Sequence, residues 1–91
     1  MIDLLVFEEV IYGLKQGRKY ARIGWNGKSM FIFMVAGSQF KVNREPLMSI
    51  LGENTEISYS PHIDICFAPG KIAVCNPSQQ DMFAKDWLLV E

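Results

Sequence analysis

The chain has little of what most reactive sites are built from. It contains one histidine and two cysteines among 91 residues, which excludes a histidine-rich metal centre, and it has no Cys-x-x-Cys pair. Charge of one sign is not in excess. Nine basic residues stand against ten acidic ones, a net charge of −1, so duplex nucleic acid, which needs clustered Lys and Arg, is not an expected partner. Long apolar runs are missing as well. The longest, Met30 to Gly37, falls far short of the ~20 residues that span a bilayer, so no membrane partner is expected. The N-terminus carries Asp3, Glu8 and Glu9 in place of a basic segment, so no signal peptide is expected and the chain reads as cytoplasmic. In a reducing compartment Cys66 and Cys75 are expected to be free thiols. No repeat, linker or low-complexity tract divides the sequence, and its length suits a single domain over residues 1–91.

What is present is apolar surface. The apolar fraction is 49%, at the upper end for a soluble domain. A body this small buries only roughly 60–68% of its unfolded surface, so self-association is expected. The first element is a helix. Phe7, Val10, Ile11 and Leu14 follow the i, i+3, i+4, i+7 spacing of one helical face. Acids at its start and Lys15 near its end suit the helix dipole, with Gly17 as the residue after the cap.

Strand character follows. Lys19 to Ile23 is one short strand, and Asn26-Gly27 is a hairpin-turn dipeptide. Met30 to Val35 is apolar on both faces, which predicts a central strand. From Gly37-Ser38 through Val42-Asn43-Arg44 the sequence reads as a loop. Pro46 opens a helical turn over Leu47 to Leu51. A second hairpin turns at Pro69-Gly70. A two-residue turn there pairs Cys66 with Ala73 and Asp64 with Cys75. Ile63, Ile65, Phe67, Ile72 and Val74 then form a core face, opposite His62, Asp64, Cys66, Ala73 and Cys75. That register sets the two thiols diagonally, a poor geometry for a disulfide. Ser78 or Asp81 caps a last short helical turn, and Trp87 to Val90 ends the chain as a strand. The fold class is α+β: an N-terminal helix packed on an antiparallel sheet of hairpins.

No catalytic motif is complete, and no cofactor is implied. His62, Asp64, Cys66 and Cys75 share one predicted face, but their spacing matches no zinc pattern. A Cys-His nucleophile pair lacks any sign of a depressed thiol pKa. His62 and Asp64 read either as an acid–base pair of a nucleotide-processing enzyme or, more simply, as a mutually paired couple beside a pocket or interface. Gly24-Trp25-Asn26-Gly27-Lys28 is more suggestive. Trp25 offers a flat face on which a base stacks, Asn26 supplies donor and acceptor, and Lys28 can meet a phosphate. The same segment also reads as a hairpin turn whose indole packs on the core. Ser78-Gln79-Gln80-Asp81 is a helix cap or a binding loop. The strand Met30 to Val35 could equally serve as the contact surface of a structural or protein-binding module.

Taken in order, Arg22 to Lys28, Met30-Phe31 with Gly37-Ser38, Val42-Asn43-Arg44 with Pro46-Leu47, Pro61-His62-Ile63-Asp64, Ser78-Gln79 with Asp81, and Ala84 to Trp87 resemble a small phage and prophage domain family. Its best-known members are Thoeris anti-defence proteins of the second type. The resemblance runs from about Phe7 to Val90. It implies a non-catalytic sponge that binds a cyclic ADP-ribose isomer made by TIR-domain proteins, with cyclic oligonucleotides as ligands of some relatives. It also implies a homotetramer with ligand pockets at subunit contacts. On this resemblance Trp25 and Asn26 are pocket residues, and Asp64, Ser78, Gln79 and Asp81 polar contacts or pocket supports; Lys28 joins them as a ligand contact on its charge alone. Cys75 stands where the family carries a second tryptophan, which removes one stacking surface.

Overall fold

The fold grows from one helix laid across one sheet. A computed structural model describes residues 3–25 and 30–91. Helix α1 (Phe7–Leu14) turns Phe7, Val10 and Leu14 inward, the face set by the apolar spacing. Glu9 Oε1 accepts from the Val6 N–H at 3.1 Å and satisfies one of the free donors of the first turn. The helix runs out into a turn that ends at Gly17, whose φ of +88° only glycine takes without strain.

Five strands make the main antiparallel sheet: β1 (Lys19–Arg22), β2 (Phe31–Val35), β5 (His62–Ala68), β6 (Lys71–Val74) and β7 (Trp87–Val90), in the order β6-β5-β2-β1-β7. β2 is central, as its apolar run predicts. Directly paired residues share a face. Tyr20 with Ile32, and Ile32 with Ile65, therefore lie on the side that receives α1, as does Trp87 opposite Arg22. Phe7, Val10, Leu14, Tyr20, Ile32 and Trp87 form the dry core. Gly13 is what lets the helix come this close. A Cβ built there would stand 1.6 Å from the Tyr20 hydroxyl.

The second hairpin keeps the expected two-residue turn, since Ala68 pairs with Lys71. A bulge between Cys66 and Ala68 then shifts the register by one residue. Cys66 pairs with Ile72, not Ala73, and Asp64 with Val74, not Cys75. A one-residue slip turns every β6 side chain over. Ala73 and Cys75 join Ile63 and Ile65 on the core side, while Ile72 and Val74 join His62, Asp64 and Cys66 on the other. The expected core face is thus corrected: Phe67, Ile72 and Val74 are about half or more exposed. Both thiols are free, on opposite faces of the sheet.

The expected loop after Gly37 contains a strand. β3 (Ser38–Lys41) pairs with β4 (Glu56–Tyr59) as a separate two-stranded ribbon, closed at its far end by helix α2 (Leu47–Leu51). This arm projects from the sheet, and the molecule measures 53 × 24 × 24 Å. Its radius of gyration is 16.0 Å, against roughly 12 Å for a compact chain of this length. Helix α3 (Gln79–Phe83) leads into β7. No helix of the described residues is long and apolar enough to cross a membrane.

Candidate functional site

Of the residues singled out in the sequence, Trp25, Ser78 and Asp81 are brought into one network, and its organiser is Arg22. This arginine ends β1. Its Nε donates to Asp86 Oδ1 at 2.9 Å and its guanidinium reaches Asp81 Oδ1 at 3.0 Å. The chain turns directly after it, with the Trp25 N–H donating to the Arg22 carbonyl at 3.1 Å. Asp81 is bound on its other side as well. Ser78 and Asp81 form a reciprocal cap: the Asp81 N–H donates to Ser78 Oγ at 3.0 Å, and the Ser78 N–H to Asp81 Oδ2 at 3.1 Å. The Asp81 carbonyl accepts from Trp87 Nε1 at 2.9 Å.

This wiring fixes the charges. Asp86, then Asp81, raise the Arg22 pKa above its ordinary value. Burial pushes the Asp81 carboxyl up, but the Ser78 backbone N–H and the Arg22 guanidinium more than offset it and hold Asp81 below the usual carboxylate range. Both Asp81 oxygens are thus engaged, one by Arg22 and one by Ser78. Gln79 is exposed beside them on α3.

Trp25 is half-buried. Its indole meets Trp87 edge to face, with ring centroids 5.4 Å apart and an interplanar angle of 78°, a favourable aromatic geometry. Trp87 is 1% exposed, so Trp25 rests on a rigid floor with part of its surface open. The indole thus packs against the core, as one reading of this tryptophan expects, and keeps part of its surface open. Asn26 and Lys28, with the Asn26-Gly27 turn, lie outside the described residues.

Asp64 and Cys75 do not meet as expected. The bulge puts Cys75 on the core side, where burial, then Asp81 and Asp64, raise its thiol pKa; this is the opposite of an activated nucleophile. The set His62, Asp64, Cys66 and Cys75 cannot share one metal on one face, and no cluster of metal-ligating residues occurs among the described residues. His62 Nε2 stands 3.4 Å from Asp64 Oδ1, and its Nδ1 lies 3.0 Å from the Ser60 carbonyl. Asp64 Oδ1 is buried without a hydrogen-bond partner among the described residues. The couple lies in an apolar field of Phe33, Val35 and Val74, on the sheet face opposite the one that receives α1.

The cavities seen among the described residues, in the arm and around α1, are not lined by Trp25, Asp64, Cys75, Ser78, Gln79 or Asp81. Sequence reasoning missed Arg22 as an organiser. Its charge was legible, but its pairing with Asp81 and Asp86, 59 and 64 positions away, is set by the fold.

The chain is similar to the protein called Thoeris anti-defense 2 of Bacillus phage SP01, with 36% identity over 89 residues that cover 92% of each chain. The family model described as the Thoeris anti-defense 2-like domain matches residues 5–90, from the strand bridge of Leu5 through the last residue of β7, and on that match the chain belongs to the Thoeris anti-defense 2-like family.

Proposed function

We propose that this protein counters a bacterial defence system by capturing a small cyclic nucleotide signal, a cyclic ADP-ribose isomer made by TIR-domain proteins, without chemically changing it. Family membership supports the anti-defence role, and the observation that carries the capture reading is Trp25, a half-open indole seated on the buried Trp87. Such a platform stacks a base for about 1–3 kcal/mol. Arg22, Asp81, Asp86 and Ser78 hold it in place. Asn26 and Lys28 follow directly in sequence and supply the amide and the cation; Gln79 and Asp64 add polar contacts. Cys75 is assigned no stacking role, since a cysteine has no ring. The place of action is the host cytoplasm.

The pocket is completed by other copies of the chain, assembled as a tetramer. Two observations support self-association. The chain exposes 6784 Å², against roughly 5400 Å² for a compact protein of its size. Its second sheet face, opposite α1, leaves Ile72 and Val74 51% and 64% exposed, beside Phe31 and Phe33. A neighbouring subunit on this face would also bring a donor to Asp64 Oδ1.

Among the described residues the Cys75 thiol is held protonated by burial and does not serve His62 and Asp64 as a nucleophile, which favours capture over catalysis. The test is calorimetry with cyclic ADP-ribose isomers, followed by heat denaturation and analysis of what is released. Intact ligand is expected, and a converted product would replace capture by catalysis. Trp25→Ala is expected to weaken binding by at least tenfold, the loss of about 1.4 kcal/mol of stacking, with the fold retained. Unchanged affinity would remove Trp25 from the site.

A further inference from the structure

A cavity of about 490 Å³ lies in the arm and is lined by Phe40, Val42, Asn43, Arg44, Glu45 and Tyr59, together with Pro46 and Leu47. We infer that this cleft is a binding site of its own for a small planar aromatic anion, with Phe40 and Tyr59 holding the ring and Arg44 the charge. It goes beyond capture at Trp25, because its lining comes from the arm: β3, β4, the segment that enters α2 and the first residue of α2.

The cleft has the composition of a small-ligand site: an apolar wall with a few polar groups, in the usual volume range. Val42, fully buried, is its floor. Its backbone is pinned to the other side of the arm by the bonds Val42 N–H to the Thr55 carbonyl at 2.9 Å and Asn54 N–H to the Val42 carbonyl at 2.8 Å. The rings of Phe40 and Tyr59 stand 5.6 Å apart at 36°. They remain 38% and 50% exposed, so apolar ring surface is open to a guest. Among the described residues the Arg44 guanidinium and the Asn43 amide have no side-chain hydrogen-bond or ion-pair partner. The one carboxylate in the lining is engaged elsewhere: Glu45 Oε2 accepts from Ser49 Oγ at 2.6 Å and from the Ser49 N–H at 3.3 Å. Arg22 shows the contrast, since two carboxylates occupy it fully. A planar guanidinium without a side-chain partner among the described residues, lining the same cavity as two rings and an amide, matches an aromatic group that bears a phosphate or a carboxylate.

The two sources of that chemistry, nucleotides and aromatic acids, are separated by titrating the full-length protein with AMP, with 4-hydroxybenzoate and with inorganic phosphate, following backbone amides by NMR. Saturable shifts at Phe40, Val42, Arg44 and Tyr59 are expected with AMP, with 4-hydroxybenzoate or with both, and the pattern assigns the source. Arg44→Gln is expected to weaken this binding about tenfold, the scale of one charge-assisted contact. Arg44→Lys should fall between, because it keeps the charge and loses the fork. Tyr59→Leu should weaken it as well. Trp25→Ala should leave arm binding unchanged, so that failure here and failure of signal capture are read separately. Absence of saturable shifts in the arm with both aromatic probes at millimolar concentration would overturn the inference. So would phosphate alone binding as well as AMP, indifferent to Tyr59→Leu.

Discussion

The body and the arm of this molecule are held by different physics. In the body, α1 crosses the five-stranded sheet and closes a core in which Val10 and Ile32 are 0% exposed, and Gly13 lets the two layers nearly touch. In the arm, a two-stranded ribbon and one short helix enclose a single fully buried side chain, Val42. Isolated two-stranded ribbons are marginal in water. The body thus carries the stability, and the arm is free to present ring surface and the Arg44 guanidinium.

Four measurements would break or sharpen that contrast. Gly13→Ala should have the largest effect, about 3 kcal/mol of destabilisation by overpacking, because Tyr20 is 3% exposed and has nowhere to retreat. Denaturant unfolding reads it, and a loss below about 1 kcal/mol would mean that the helix is not clamped to the sheet as described. Val42→Ala should remove about 1.5 kcal/mol of burial but only from the arm. Amide exchange in β3 and β4 should accelerate while protection in β2 holds. Equal acceleration in both would show that arm and body unfold as one unit.

Arg22→Met should cost about 1 kcal/mol, since its ion pairs are only partly buried. It should also disturb the coupling between Trp25 and Trp87, visible in near-ultraviolet circular dichroism; an unchanged spectrum would free Trp25 from the network. The smallest effect is set by pH. The folded pKa of Asp81 lies below its ordinary 3.8, so its contribution is fully present above the usual carboxylate range. It is lost as pH falls from there through the folded value. Asp81→Asn should flatten that acid limb, and a limb of unaltered steepness would assign it to other carboxylates.

How legible each part was follows from how local its signals are. The apolar spacing of α1, the double-sided run of β2, the Ser78 cap and the Pro69-Gly70 turn are written in neighbouring residues, and all were found. The β3–β4 ribbon was not. Ser38-Gln39-Phe40-Lys41 has one apolar residue in four and takes its pairing from Glu56–Tyr59, beyond an intervening helix. The bulge in β5 was equally invisible, because nothing near Phe67 distinguishes a bulge from a regular strand. It nevertheless decided which side of the sheet Cys75, Ile72 and Val74 occupy.

The sequence by itself determined the elements of the body, the family and the candidate indole at Trp25, because periodicity, caps and turn chemistry act over a few residues. Only the tertiary structure decided that Arg22 gathers Asp81, Asp86 and the two tryptophans, that one sheet face lies opposite α1 with Ile72 and Val74 exposed, and that the arm encloses a cleft. Those features depend on register and on contacts between residues tens of positions apart, and a single slipped residue in a strand reverses them.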